Sequence, residues 1–155
     1  MSELTKILER EKERAKEFKK LANIKRKEWV GSVNEFYLKI ERWLTDEHSR
    51  GLVEFHRSKK YPEDEYSGSY EINVLNLGFP NDFITIDPIA WQVAGGLGRV
   101  DIYNRKRPLI NFIILLKKED GKWYVLERPD RISNEINYVE LDEGKFKDIL
   151  IQLIK

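Results

Sequence analysis

Through the first 44 residues apolar side chains return at steps of three, four and seven: Leu4, Ile7, Leu8, Ala15, Phe18, Leu21, Ala22, Trp29, Val33, Phe36, Tyr37, Ile40, Trp43 and Leu44. Such steps gather residues on one stripe of an α-helix. The stripe is dense from Phe18 onward and nearly empty over residues 9–14. The spacing predicts a core-packing helix over residues 18–44 and, before it, a charged, exposed helical extension over residues 1–17. Glu9/Lys12, Glu11/Arg14, Glu13/Lys16 and Glu17/Lys20 stand three apart in that extension. Each pair adds about 0.2–0.5 kcal/mol to a solvated helix. The alternative is a break at Gly31, with a second helix starting at Ser32 or Asn34.

After Gly51 the period changes to two, the signature of strands. Leu52 and Phe55 mark a first strand, and Tyr70, Ile72 and Val74 alternate with Glu71 and Asn73 in a second. Phe83-Ile84-Thr85-Ile86 predicts a strand limited by Pro88, and Val100-Asp101-Ile102-Tyr103 another. Residues 109–116 are almost continuously apolar, which predicts a central strand covered on both faces. Asp120-Gly121 centres a hairpin turn, and Trp123-Tyr124-Val125-Leu126 returns from it. Asp142 predicts an N-cap for a short closing helix whose apolar face is Phe146, Ile149, Leu150, Leu153 and Ile154. The expected fold class is α+β: one domain over residues 18–155, with a long N-terminal helix packed on an antiparallel sheet of about five or six strands and a short C-terminal helix.

Composition narrows the chemistry. With 155 residues, 41% hydrophobic and 35% charged, the chain has the profile of a soluble single domain. No cysteine means no disulfide framework, no thiolate metal site and no cysteine nucleophile; a cytoplasmic setting is expected. The first six residues hold no apolar leader, and the longest apolar run, Phe112 to Leu116, is too short to span a bilayer. No membrane association is expected. The formal net charge is +1, but residues 61–98 contain no Lys or Arg, whereas residues 3–30 carry ten against six Glu.

The densest candidate site is the run Asp87 to Asp101, with Trp91 and with Gly95, Gly96 and Gly98 inside four positions. Gly96-Leu97-Gly98-Arg99-Val100-Asp101 fails the dinucleotide fingerprint, because its third glycine is Asp101 and a strand follows where a helix is needed. A metal-nuclease arrangement of Gly-x-x-Asp followed by Glu-x-Lys also fails: the positions two before Lys117 and Lys118 are Leu115 and Leu116. Two readings stay open. The glycines make a bulge or close backbone crossing, or they shape a pocket into which Arg99 and Asp101 project with an acid such as Asp87 or Glu127. His48 and His56 lack ligand spacing, and Glu63-Asp64-Glu65 lacks a calcium-loop pattern and predicts a solvated acidic turn. Arg105-Lys106-Arg107, with Lys59, Lys60, Lys117 and Lys118, makes a basic patch that single-stranded nucleic acid would fit. No cofactor, metal ligand or catalytic residue is identified.

Lys27-Glu28-Trp29, Asn34-Glu35-Phe36-Tyr37 and Ile40-Glu41-Arg42-Trp43-Leu44, with Pro88-Ile89 and Gly95-Gly96-Leu97-Gly98-Arg99-Val100-Asp101, resemble the pattern of a scattered family of small, uncharacterised bacterial proteins. The resemblance spans about residues 25–155 and implies a bacterial domain with a shaped glycine loop; it implies no activity. The expected function is a non-enzymatic binding or interaction module. Its contacts are expected through the N-terminal helix, by self-association or with another protein, and through the Gly95 to Asp101 region. A small-ligand or enzymatic pocket at Arg99 and Asp101, and nucleic-acid binding at Arg105-Lys106-Arg107, are the alternatives.

Overall fold

Ser2 starts the first helix by turning its hydroxyl back to accept the Thr5 amide at 3.1 Å, which satisfies one of the free N–H groups of the first turn. In the computed structural model, which describes residues 2–64, 68–93, 97–117, 119–127 and 136–155 (backbone only for Gln92, Val93 and Leu97), this helix, α1, runs unbroken over Glu3–Trp43. At 1.5 Å per residue it is about 60 Å long. Gly31 does not break it: the glycine is exposed, and a methyl group there would meet nothing within 4 Å. Buried contact begins at Ala22 and continues through Trp29, Val33, Phe36, Tyr37 and Ile40. Every residue from 3 to 21, Phe18 included, is exposed, so the overhang is one turn longer than the spacing predicts.

A short helix, α2 (Thr45–Ser49), ends at Gly51, whose φ of 72° is the left-handed geometry that glycine supplies without strain. Nine strands follow: β1 (Glu54–Lys60), β2 (Glu63–Asp64), β3 (Gly68–Ser69), β4 (Ile72–Gly78), β5 (Phe83–Val93), β6 (Leu97–Asn104), β7 (Asn111–Lys117), β8 (Lys122–Glu127) and β9 (Asn137–Glu140). Seven of them form an antiparallel sheet in the order β1-β4-β5-β6-β7-β8-β9, and β2 and β3 pair as a small hairpin between β1 and β4. The closing helix α3 (Glu143–Ile154) is capped by Asp142, which accepts the Lys145 amide at 2.7 Å. The α+β class and its order of elements are therefore as expected.

Both helices pack on the same face of the sheet. Register alignment puts Leu75, Ile86, Ile102 and Phe112 across that face, beside the row Val100, Ile114, Val125 and Val139. Phe36 stacks on Trp123 with ring centroids 4.2 Å apart, Trp29 lies 6.0 Å from Trp123, and Trp43 meets Phe146 of α3 at 5.5 Å. Gly98 of β6 lies directly beneath the Trp29 ring, where a methyl group would run into the indole.

Three expectations are corrected. Pro88 does not end its strand: it pairs with Val100, and the register shifts just beyond it, so the missing N–H falls at a bulge. The apolar run at residue 109 is not all strand, because Leu109 (99% exposed) and Ile110 sit in the turn before β7. Nor is β7 covered by a layer on each face, since both helices occupy one side. The seventh strand, β9, was hidden because Val139 alone of its four residues turns away from solvent.

Gly98→Ala is expected to lower stability by about 1–3 kcal/mol through overpacking, whereas Gly31→Ala is expected to raise it by about 1 kcal/mol through helix propensity. Urea unfolding midpoints of the two variants against the parent chain check both signs.

Candidate functional site

Because β6 alternates, Gly98 and Val100 face the helices while Arg99 and Asp101 share the opposite face. There Arg99 grips Asp101 with both arms, Nε to Oδ1 at 2.8 Å and Nη2 to Oδ2 at 3.0 Å. Asn111 of β7 adds a third donor to Oδ2 at 3.0 Å. Asp101 is buried; its charge is satisfied by this fork, and the bond holds the Arg99 guanidinium above its ordinary value.

Asp87 of β5 stands directly across from Asp101 in the register. Two facing carboxylates repel, and each has its own cation: Lys60 of β1 reaches Asp87 at 2.7 Å. Tyr103 lies on the same face, its phenol pushed up first by burial and next by the Asp87 carboxylate. Beside this pair runs a network in which the Arg105 guanidinium donates to the uncharged Thr85 and Asn76, Thr85 to Asn76, and Asn76 to Ser58. The outer face is thus a polar layer whose donors and acceptors are matched across five strands. Chemically it offers paired charges, not a free base or nucleophile.

The remaining expected site residues fall elsewhere. Gly95 and Gly96 lie outside the described residues. Trp91 is buried with the core, and its indole N–H donates to Asp64 of the β2–β3 hairpin at 3.2 Å. At Gly98 the close approach is that of a helix tryptophan, and the register shifts fall between Pro88 and Val93 of β5. Glu127 pairs with Lys145 of α3, away from Arg99. In the basic turn, Arg105 lies 4.3 Å over the Phe83 ring, Arg107 donates to the carbonyls of Leu153 and Lys155, and Lys106 donates to that of Asn81. All three cations tie the turn to the rest of the fold.

A concave feature sits on the helix side, where α1 stands away from β7 and β8. Trp29, Phe36, Leu116 and Trp123 line a groove of about 800 Å³, a volume in the ligand-pocket range. Its charged wall is α1 itself, with Lys25, Glu28, Ser32, Glu35, Lys39 and Arg42. Read from the sequence, these six residues are not brought together as a site. The signal was present in the seven-residue spacing of positions 25, 32 and 39 and of 28, 35 and 42, but it has meaning only once a strand pair lies alongside. Among the described residues no group of three or more His, Asp or Glu is placed to hold a metal, and no helix is long and apolar enough to cross a membrane.

The chain matches no family model, no curated protein and no solved structure.

Arg99→Ala and Asp101→Ala are each expected to cost about 1–3 kcal/mol, since each strands a partner on a half-dry surface. The double variant is expected to cost less than the sum, by about 0.5 kcal/mol or more. A denaturant double-mutant cycle reads this coupling; additive losses would show that the pair does not brace β6.

Proposed function

We propose that this protein is a binding module that works through protein–protein contact, and that the contact element is the overhang of α1. One observation carries the reading. Residues 3–21 are held as a helix and are all exposed, yet Leu4, Ile7, Leu8 and Leu21 remain about half to two-thirds accessible on it. A helix of about five turns gains little from water and is stabilised chiefly by burying an apolar face. Leu4, Ile7 and Leu8 continue the same side of the helix that Trp29, Val33 and Phe36 bury further along, and Leu21 stands at its edge, so the overhang presents a surface made for packing. The bacterial, cytoplasmic setting expected from the resemblance and composition belongs to the same proposal.

The reading of Arg99 and Asp101 as a ligand or reaction site has less support, because each occupies the other and Asn111 completes the set. Nucleic-acid binding through Arg105-Lys106-Arg107 has less support for a similar reason: two of the three guanidinium and ammonium groups donate to backbone carbonyls and the third is stacked and bonded at Phe83, Thr85 and Asn76.

A photoreactive residue placed at Leu8 or Leu21 in cells is expected to yield discrete protein adducts, while one at Glu13, on the far side of the helix, yields none. Equal labelling from all three positions, or no adduct from any, would remove the overhang as the contact element.

A further inference from the structure

Resting on the reading of the overhang as a contact element, the structure says what it contacts. Two columns of residues, all exposed except the half-buried Ser32, run the length of α1 at seven-residue spacing. One holds Leu4, Glu11, Phe18, Lys25, Ser32 and Lys39; the other holds Ile7, Arg14, Leu21, Glu28, Glu35 and Arg42. Seven residues make just under two turns, so each column drifts only slightly around the helix and the two lie side by side. The last three members of each column are the α1 wall of the groove. The first three of each belong to the overhang. Donor and receptor surfaces are therefore parts of one helical seam.

We infer that a second copy of this chain fills the groove: two α1 helices lie antiparallel about a twofold axis, and the overhang of each rests between the other's residues 25–42 and its β7–β8 hairpin. Three features fit this occupant. Lengths agree, since residues 3–21 and residues 25–43 of α1 each span about 27 Å. Charges agree as well: with Arg14 opposite Glu35 of the second copy, Glu11 falls beside that copy's Lys39, so the wall of mixed sign meets a seam of mixed sign in the opposite order. Finally, the arrangement closes. A twofold pairing covers both overhangs and both grooves at once and leaves no open end for a third copy. At this register Leu21 falls at the level of Glu28 and Trp29 of the second copy, at the aromatic floor of the groove, and Ile7 at the level of Arg42, against the stem of that side chain.

Sedimentation of the purified full chain is expected to give a dimer at micromolar concentration. Ile7→Glu/Leu21→Glu is expected to raise the dissociation constant at least about tenfold, with unchanged helix content, because both residues are exposed within one chain. Register is tested by the double variant Arg14→Cys/Glu35→Cys, since the chain has no cysteine of its own. Within one α1 those positions are about 31 Å apart, far beyond disulfide reach, so a bond between them joins two copies. Mild oxidation is expected to convert the double variant to covalent dimer and to leave either single variant monomeric under denaturing conditions. A full chain that sediments as a monomer, or single variants that cross-link as readily as the pair, overturns the inference. A monomeric chain whose Leu8 and Leu21 photo-adducts contain another protein rejects the second copy while keeping the overhang as contact element; a monomer with no adducts rejects both.

Discussion

The seat of Trp29 on Gly98 is the contact around which the other parts are arranged. A 60 Å helix can lie over a sheet in many positions, and here one large ring meets the one described residue of β6 that has no side chain. That fit brings α1 close to the sheet, stacks Phe36 on Trp123, and sets Val33, Tyr37 and Ile40 over β4 and β5. The hydroxyl of Tyr37 then donates to the Asn73 carbonyl at 2.6 Å, a bond made on the same side of the helix. Fixing the helix there also fixes what it leaves uncovered. Its first five turns project past the sheet, and its flank stands off from β7 and β8 as the wall of a groove.

The two faces of the sheet solve different problems. The helix side is dry, and nearly every residue on it is aliphatic or aromatic. Among the described residues no helix covers the other side, yet Asn76, Thr85 and Asp101 at its centre are almost as inaccessible. Lys60 and Arg99 each neutralise a carboxylate there, and Arg105 donates to the buried Asn76 carbonyl. The outer network thus lines this face with matched charges and amides. Residues that look reactive in isolation, such as Asp87 facing Asp101, are there held in fixed pairs.

Much of this architecture can be read from residue order alone. Helical spacing, the Asp142 cap, the alternation in β4 and the Asp120-Gly121 turn each depend on neighbours within a few positions. What went unread depends on distant ones. Pro88 seemed a strand end because a lone strand cannot use it, but a register shift against β6 gives its missing N–H a harmless place. Leu109 belonged to an apolar run by composition and to a turn by geometry. Arg99 and Asp101 were recognisable as neighbours on one strand face; that Asn111 closes their site required β7 beside them.

By itself the sequence determined the α+β class, the long helix with its charged start, and the closing helix. Those follow from periodicity and capping, both short-range effects. The tertiary structure alone decided that burial starts at Ala22, that Gly98 is small for the sake of Trp29, and that the basic turn spends its cations internally. It also decided that two seven-residue columns of α1 become the wall of a groove. Burial and pairing depend on which element lies over a residue, and that element is set by contacts between segments far apart in the chain. For the run that holds Gly98, the tertiary fold turns a flexible-looking glycine into the floor on which the first helix rests.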